Sequence, residues 1–270
     1  MDAQTFLDNF GTIAEAPDGI NQLRQLILNL AVRGQLVEQH SDDESVDQLL
    51  VRLDSQKSRL AEEGSICPGR SIPPVGEDEE PFAVPPSWTW VPLADVAWPQ
   101  AGFAFKSDQF NEVGHGTPLI RIRDIANSTT QAHFDGEFRE EFLVDTGDYL
   151  VGMDGNFNVR QWTGPRALLN QRVTRLVFFG SEVGARFIAV ALQQRLDELH
   201  GSKAYTTVQH LSGKQIAQSP IPLPPAPEQH RIVARMDELM ALCDELEARL
   251  VERDRLGEAL AASVVDAFAT

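Results

Sequence analysis

Ile221-Pro222-Leu223-Pro224-Pro225-Ala226-Pro227-Glu228-Gln229-His230-Arg231-Ile232-Val233 divides the chain into two kinds of structure. Proline fixes φ and removes a backbone donor, so four prolines between 222 and 227 make a stiff, extended stop. Pro227 and Glu228 then suit the first turn of a helix, where the missing N–H costs nothing and an acid meets the positive helix end. Downstream, Ile232, Met236, Leu239, Leu242, Cys243, Leu246 and Leu250 recur at spacings of three and four, and the spacing loosens through Leu256 and Leu260. The pattern predicts one helix to about residue 268, about 40 residues or ~60 Å long. A stripe that narrow is a coiled-coil strand, and the sequence offers it no obvious partner within the chain. Ile232, Met236, Leu239, Leu242, Leu246 and Leu250 are therefore the candidate dimerisation or docking positions.

Upstream of the prolines the pattern changes. Short β-like runs occupy Trp88–Leu93, Pro118–Ile125, Tyr149–Met153 and Gln171–Phe179, with turn signals between them at Asp154-Gly155-Asn156 and Thr163-Gly164-Pro165. A helical pattern covers Ala185–Leu199. This predicts an α+β globular domain over 88–219, followed by the long helix over 220–270. Residues 64–87 are rich in Gly and Pro and carry the run Glu77-Asp78-Glu79-Glu80, which reads as a linker. Residues 1–63 form a helical docking segment, with helices over 20–39 and 46–62. Asp18 or Asn21 is placed to cap the first helix and Gly34 to stop it.

The chain of 270 residues is 42 % apolar and 23 % charged, ordinary values for a folded soluble protein. Cys67 and Cys243 form no CxxC pair, which argues against a zinc ribbon or a disulfide framework. The first residues lack the basic and apolar regions of a signal peptide, and no run of about 18 apolar residues occurs. No membrane association and a cytoplasmic location are expected. The net charge of −17 opposes general affinity for nucleic acid, but it is unevenly spread. Residues 1–99 hold 17 acids against 6 bases, residues 100–215 hold 13 against 12, and residues 216–270 hold 10 against 5. The near-neutral middle leaves room for an arginine-lined face.

Catalytic signatures are missing from the sequence: GxxxxGK[ST], HExxH, GxSxG and an Asn-Pro-Pro-aromatic tetrapeptide. The histidines at 40, 115, 133, 200, 210 and 230 lack metal-ligand spacing, so no metal is assigned. Asp145, Asp148 and Asp154 suggest paired carboxylates, but turn and strand-end aspartates are the preferred reading. Arg121 and Arg123, two apart on the expected strand, share a face. They either line a solvated sheet or contact phosphates and bases. Three loops are rich in donors and aromatics: Gly102–Lys106, Asp154–Trp162 and Lys203–His210. They are ordinary turns or recognition loops. The candidate contact residues are Lys106, Arg121, Arg123, Asn156, Asn158, Arg160, Lys203, Tyr205 and Thr206, with Gly155 as a turn glycine.

Several stretches, in this order, resemble the DNA-specificity subunits of type I restriction-modification systems. They are Leu30-Ala31-Val32-Arg33-Gly34-Gln35-Leu36-Val37, Pro118-Leu119-Ile120-Arg121-Ile122-Arg123-Asp124-Ile125, Thr146–Gly155, Leu168–Val173, Thr207–Leu211 and the proline stretch with its continuation to Glu247. The resemblance implies sequence-specific recognition of double-stranded DNA at a bipartite site by target-recognition domains held on long helices. It implies a non-catalytic chain without a cofactor of its own. S-adenosylmethionine would belong to methyltransferase partners, and ATP and Mg to motor-nuclease partners. A full subunit has two target domains, and this chain has one with one long C-terminal helix. The resemblance therefore implies a half-subunit or a truncated gene product, and the simplest assembly is a homodimer with its helices antiparallel. The rival is a helical scaffold that has no DNA readout, and a weaker third reading is an enzyme using Asp145–Asp154.

Overall fold

The computed structural model describes residues 16, 18–67, 71–155, 157–181, 183–201 and 210–269. In chain order the helices and strands are α1 (Gly19–Val32), α2 (Val46–Glu62), β1 (Thr89–Pro92), β2 (Ala97–Ala101), β3 (Phe110–Asn111), β4 (Thr117–Ile120), β5 (His133–Phe134) and β6 (Leu143–Val144). There follow β7 (Tyr149–Gly152), β8 (Val159–Gln161), β9 (Ala167–Leu169), β10 (Val173–Phe178), α3 (Ala185–Gly201), α4 (Gly213–Ala217), β11 (Pro220–Leu223) and α5 (Ala226–Ala269). Helix and sheet coexist as the α+β reading expected. Two compact units emerge, one of residues 39–230 and one of residues 1–38 with 231–270. The boundaries drawn from the sequence at 63, 87 and 219 do not coincide with them.

The larger unit holds three sheets. A five-stranded sheet runs β3-β5-β4-β9-β6, a four-stranded sheet β2-β10-β7-β8, and β1 pairs with β11 as a ribbon. All pairs are antiparallel except β4 with β9, where Leu119 faces Leu168 and Ile120 faces Leu169. Side chains alternate across a strand, so neighbouring residues feed opposite faces. Ile120, Val144 and Leu169 join Ile125, Leu150, Trp162 and Val173 in one core. Leu119, Leu143 and Leu168 join Phe105, Phe134 and Phe142 in another. The central strands are therefore apolar on both sides, which explains their unbroken hydrophobic runs. Trp162, fully buried, donates its indole N–H to the Pro165 carbonyl at 2.8 Å, so its polar edge is satisfied.

The expected strand over Pro118–Ile125 ends at Ile120. The Asp124 carboxylate accepts the Arg121 backbone N–H at 2.8 Å and turns residues 122–124 into a single 3₁₀ turn. Asp competes with the sheet ladder for backbone donors, and here it wins. Arg121 and Arg123 therefore do not share a strand face. The ribbon also shows that the proline stop is partly β structure, since Pro220–Leu223 pairs with Thr89–Pro92. At the start of α5, Gln229 is fully buried. It accepts the Gly184 N–H at 2.7 Å and donates to the Pro224 carbonyl at 2.8 Å.

In the smaller unit, α1 ends at Val32, short of the expected 39, and Gly34 follows with φ 67. That left-handed conformation is the ordinary glycine stop after a helix. Asp18 occupies the N-cap position without a side-chain bond to the backbone; its carboxylate instead accepts from Asn21 at 2.6 Å. Leu23, Ile27 and Ala31 of α1 are buried, as are Ile232, Met236 and Cys243 of α5. Arg24 forks onto Asp244 at 2.6 Å and Glu247 at 2.7 Å, while Asp18 and Asn21 lie by Leu250 and Asp254. The two helices thus run antiparallel. The expectation that the long helix lacks a partner within the chain is corrected over its first half: α1 is that partner. Leu239, Leu246 and Leu250 are half-buried and Leu242 is exposed. Val251, Leu256, Leu260, Val264 and Val265 are exposed as well.

Candidate nucleic-acid interface

Lys106 is exposed at the start of a 3₁₀ turn over Ser107–Gln109. Its loop is set by a close approach, because a Cβ at Gly102 would lie 2.1 Å from the Asn170 carbonyl oxygen. Two backbone bonds, Gly102 N–H to Val173 O at 3.0 Å and Phe103 N–H to Leu169 O at 2.9 Å, hold the loop against β9 and β10. Arg123 is exposed. Arg121 is not: it is paired with Asp124 at 3.4 Å and Glu112 at 3.6 Å, so its guanidinium serves the turn.

Asn158 directly precedes β8, and Arg160 is its middle residue. Asn158 is half-buried, and its carbonyl accepts the Gly152 N–H at 2.9 Å. Gln193 of α3 accepts the Val159 N–H at 2.7 Å, which fixes the strand, and lies 3.5 Å from the exposed Arg160. Gly155 has φ 69, a turn conformation that favours glycine. Asn156, Lys203, Tyr205 and Thr206 lie outside the described residues.

The three weighed aspartates each meet a different arginine. Asp145 pairs with Arg166 at 3.1 Å, Asp148 with Arg175 at 3.3 Å and Asp154 with Arg172 at 3.3 Å. Asp148 also accepts the Asp145 N–H at 2.9 Å, a turn role. Arg175 is half-buried and reaches Gln100 and the Leu143 carbonyl, so it braces the sheet. Among the described residues, no group of three or more His, Cys, Asp and Glu side chains is placed to hold a metal ion. No helix among them is long and apolar enough to cross a membrane.

Residues 85–253, more than half of the chain, match the family of the Type I restriction modification DNA specificity domain. The chain belongs to that family. It is 39 % identical to the Type I restriction enzyme EcoBI specificity subunit of Escherichia coli over 164 residues, 61 % of this chain and 35 % of that protein. It is 30 % identical to the EcoAI specificity subunit of the same organism over 255 residues, 88 % of this chain and 43 % of that protein. The chain spans less than half the length of these curated relatives. The crystal structure of the HsdS subunit from Thermoanaerobacter tengcongensis aligns with 85 % of this chain and 52 % of its own, at 18 % identity and a TM-score of 0.48.

Within this specificity domain, one cluster was not assembled by sequence reasoning. Arg172, Asp154 and His210 come from three segments and meet at the surface. Sequence reasoning places Arg172 inside the expected strand Gln171–Phe179, Asp154 in a turn and His210 among scattered histidines. Spacings of 18 and 56 residues carry no local signal that they converge.

Proposed function

We propose that this chain reads a DNA sequence and directs a methyltransferase to it, as a non-catalytic specificity subunit. The observation that carries the reading is the family match across the sheet unit and the start of the long helix. The exposed Lys106, Arg123 and Arg160, with half-buried Asn158, add donors on a rigid support. Asn156, Lys203, Tyr205 and Thr206 complete the proposed contact set, and Arg121 is left to the fold. S-adenosylmethionine, ATP and Mg would be held by methyltransferase and motor-nuclease partners, in the cytoplasm where the DNA is.

We further infer that a second copy of this chain packs against the outer part of α5. Leu256, Leu260 and Val264 recur at four and are exposed, a row that α1 does not cover. Two copies related by a two-fold axis would present two identical recognition domains, which predicts an inverted-repeat bipartite site.

Co-expression with the methyltransferase subunit, followed by mapping of methylated bases in host DNA, tests the reading. One palindromic bipartite motif is the expected outcome. Methylation without sequence preference would leave only the scaffold reading. Light scattering of the complex should give two copies of this chain, and a single copy would sink the dimer. With its net charge of −17, the isolated chain should bind DNA weakly at physiological salt. Tight binding by the isolated chain would contradict the dependence on partner subunits.

A further inference from the structure

Arg172 precedes β10 and is held by the Asp154 carboxylate, which His210 holds in turn. Its Nη1 lies 3.3 Å from Asp154 Oδ2 and 3.2 Å from His210 Nδ1, and His210 Nδ1 lies 2.7 Å from Asp154 Oδ1. The backbone beneath is stitched as well. Met153 N–H donates to the Arg172 carbonyl at 3.1 Å, and Leu211 N–H donates to the Met153 carbonyl at 2.7 Å. Asp154 and His210 also form an isolated antiparallel bridge. The guanidinium is thus positioned through Asp154, whose segment is stitched to the other two, yet the Arg172 side chain is 54 % exposed. Among the described residues, Nε and Nη2 make no hydrogen bond or ion pair, which leaves two parallel donors on an exposed side chain.

This arrangement suits one kind of ligand. The Asp154 carboxylate offsets much of the guanidinium charge, so a phosphate, itself an anion, gains little at this place. A neutral base edge with two adjacent acceptors gains the full directionality of the fork, and its order is set before binding. In duplex DNA that edge is O6 and N7 of guanine in the major groove. We infer that Arg172 is a specificity-determining residue that reads guanine, with Asp154 and His210 as positioning residues behind it. The inference rests on the DNA-reading function proposed above and names one base of the site.

The test is selection from a randomised duplex library by the full chain in complex with its methyltransferase subunit. Wild type, Arg172→Ala, Arg172→Lys and Asp154→Asn are compared. For Arg172→Ala, one guanine position per half-site should become degenerate while the other positions persist. Affinity for the wild-type site should fall about ten- to a hundredfold. Arg172→Lys keeps the charge but loses the fork, so it should relax the same position; it also covers the case in which the alanine variant fails to fold. Asp154→Asn should relax that position less than Arg172→Ala does. A role confined to fold stability would weaken every position together. If the wild type selects a motif and both Arg172 variants keep every position of it, the assignment is overturned while the DNA-reading function stands. A uniform loss with a shallower salt slope would make Arg172 a phosphate contact and also overturn it. If the wild type enriches no motif at all, both proposals fall together.

Discussion

At Gly102 the backbone passes so close to Asn170 that a single methyl group has no room. Gly102→Ala should therefore destabilise the sheet unit at the upper end of the about 1–3 kcal/mol seen for overpacking. Thermal unfolding of the variant checks this, and an unchanged midpoint would show that the loop can shift away. Gln229 is a second position where one side chain does two jobs. Its removal leaves the buried Pro224 carbonyl and the half-buried Gly184 N–H without their partner. Gln229→Ala should cost about 2–4 kcal/mol, because each stranded group carries its own desolvation penalty. Urea unfolding of the sheet unit measures it, and a loss below about 0.5 kcal/mol would show that water replaces the amide.

Among the elements, α1 against α5 offers a comparison of apolar and charged contacts. Leu23 is fully buried, whereas Arg24 pairs with two largely exposed carboxylates. Leu23→Ala should cost about 2–5 kcal/mol, and Arg24→Ala no more than about 1 kcal/mol after solvent screening, with the Arg24 effect fading in high salt. Comparable losses in denaturant titrations would show that the ion pairs carry more of the packing than burial does. Burial pushes the Cys243 thiol up from its ordinary value, while Cys67 is exposed. Less thiolate and less access both slow alkylation. Iodoacetamide at neutral pH should label Cys67 first and Cys243 only after the helix pair opens; equal rates would mean that α1 separates readily. The long helix and its start were legible because four prolines and a regular stripe are local signals. The break after Ile120 was not, since it depends on Asp124 outcompeting a strand ladder for one N–H. The central apolar strands were recognisable as strands, but their pairing into three sheets depends on contacts far apart in sequence. Lys106 and Arg160 fall in stretches whose composition marks them as loops, whereas the exposure of Arg123 depends on the strand ending before it, and the pairing of Arg121 and the meeting of Arg172 with Asp154 and His210 depend on contacts with no local signal.

For the molecule as a whole, the proposed dimer contact beyond residue 250 would separate folding from assembly. Leu256 is 54 % and Leu260 67 % exposed, so neither stabilises the chain on its own. The double variant Leu256→Asp, Leu260→Asp should keep the stability of the dissociated chain within about 0.5 kcal/mol and lose the two-copy complex. Light scattering and thermal unfolding of the same sample decide it; a complex of unchanged mass would place the contact elsewhere. The ribbon of β1 and β11 carries a different consequence. Thr89 lies opposite Leu223 and Pro92 opposite Pro220, so the polypeptide enters and leaves residues 93–219 at the same place. A segment whose two ends are clamped side by side can change in length without changing where the flanking chain enters and leaves it. Under the proposed function residues 93–219 would act as a cassette: recombination at two short stretches of sequence would replace the target in one step, provided the incoming segment keeps the Gly184 N–H that Gln229 accepts.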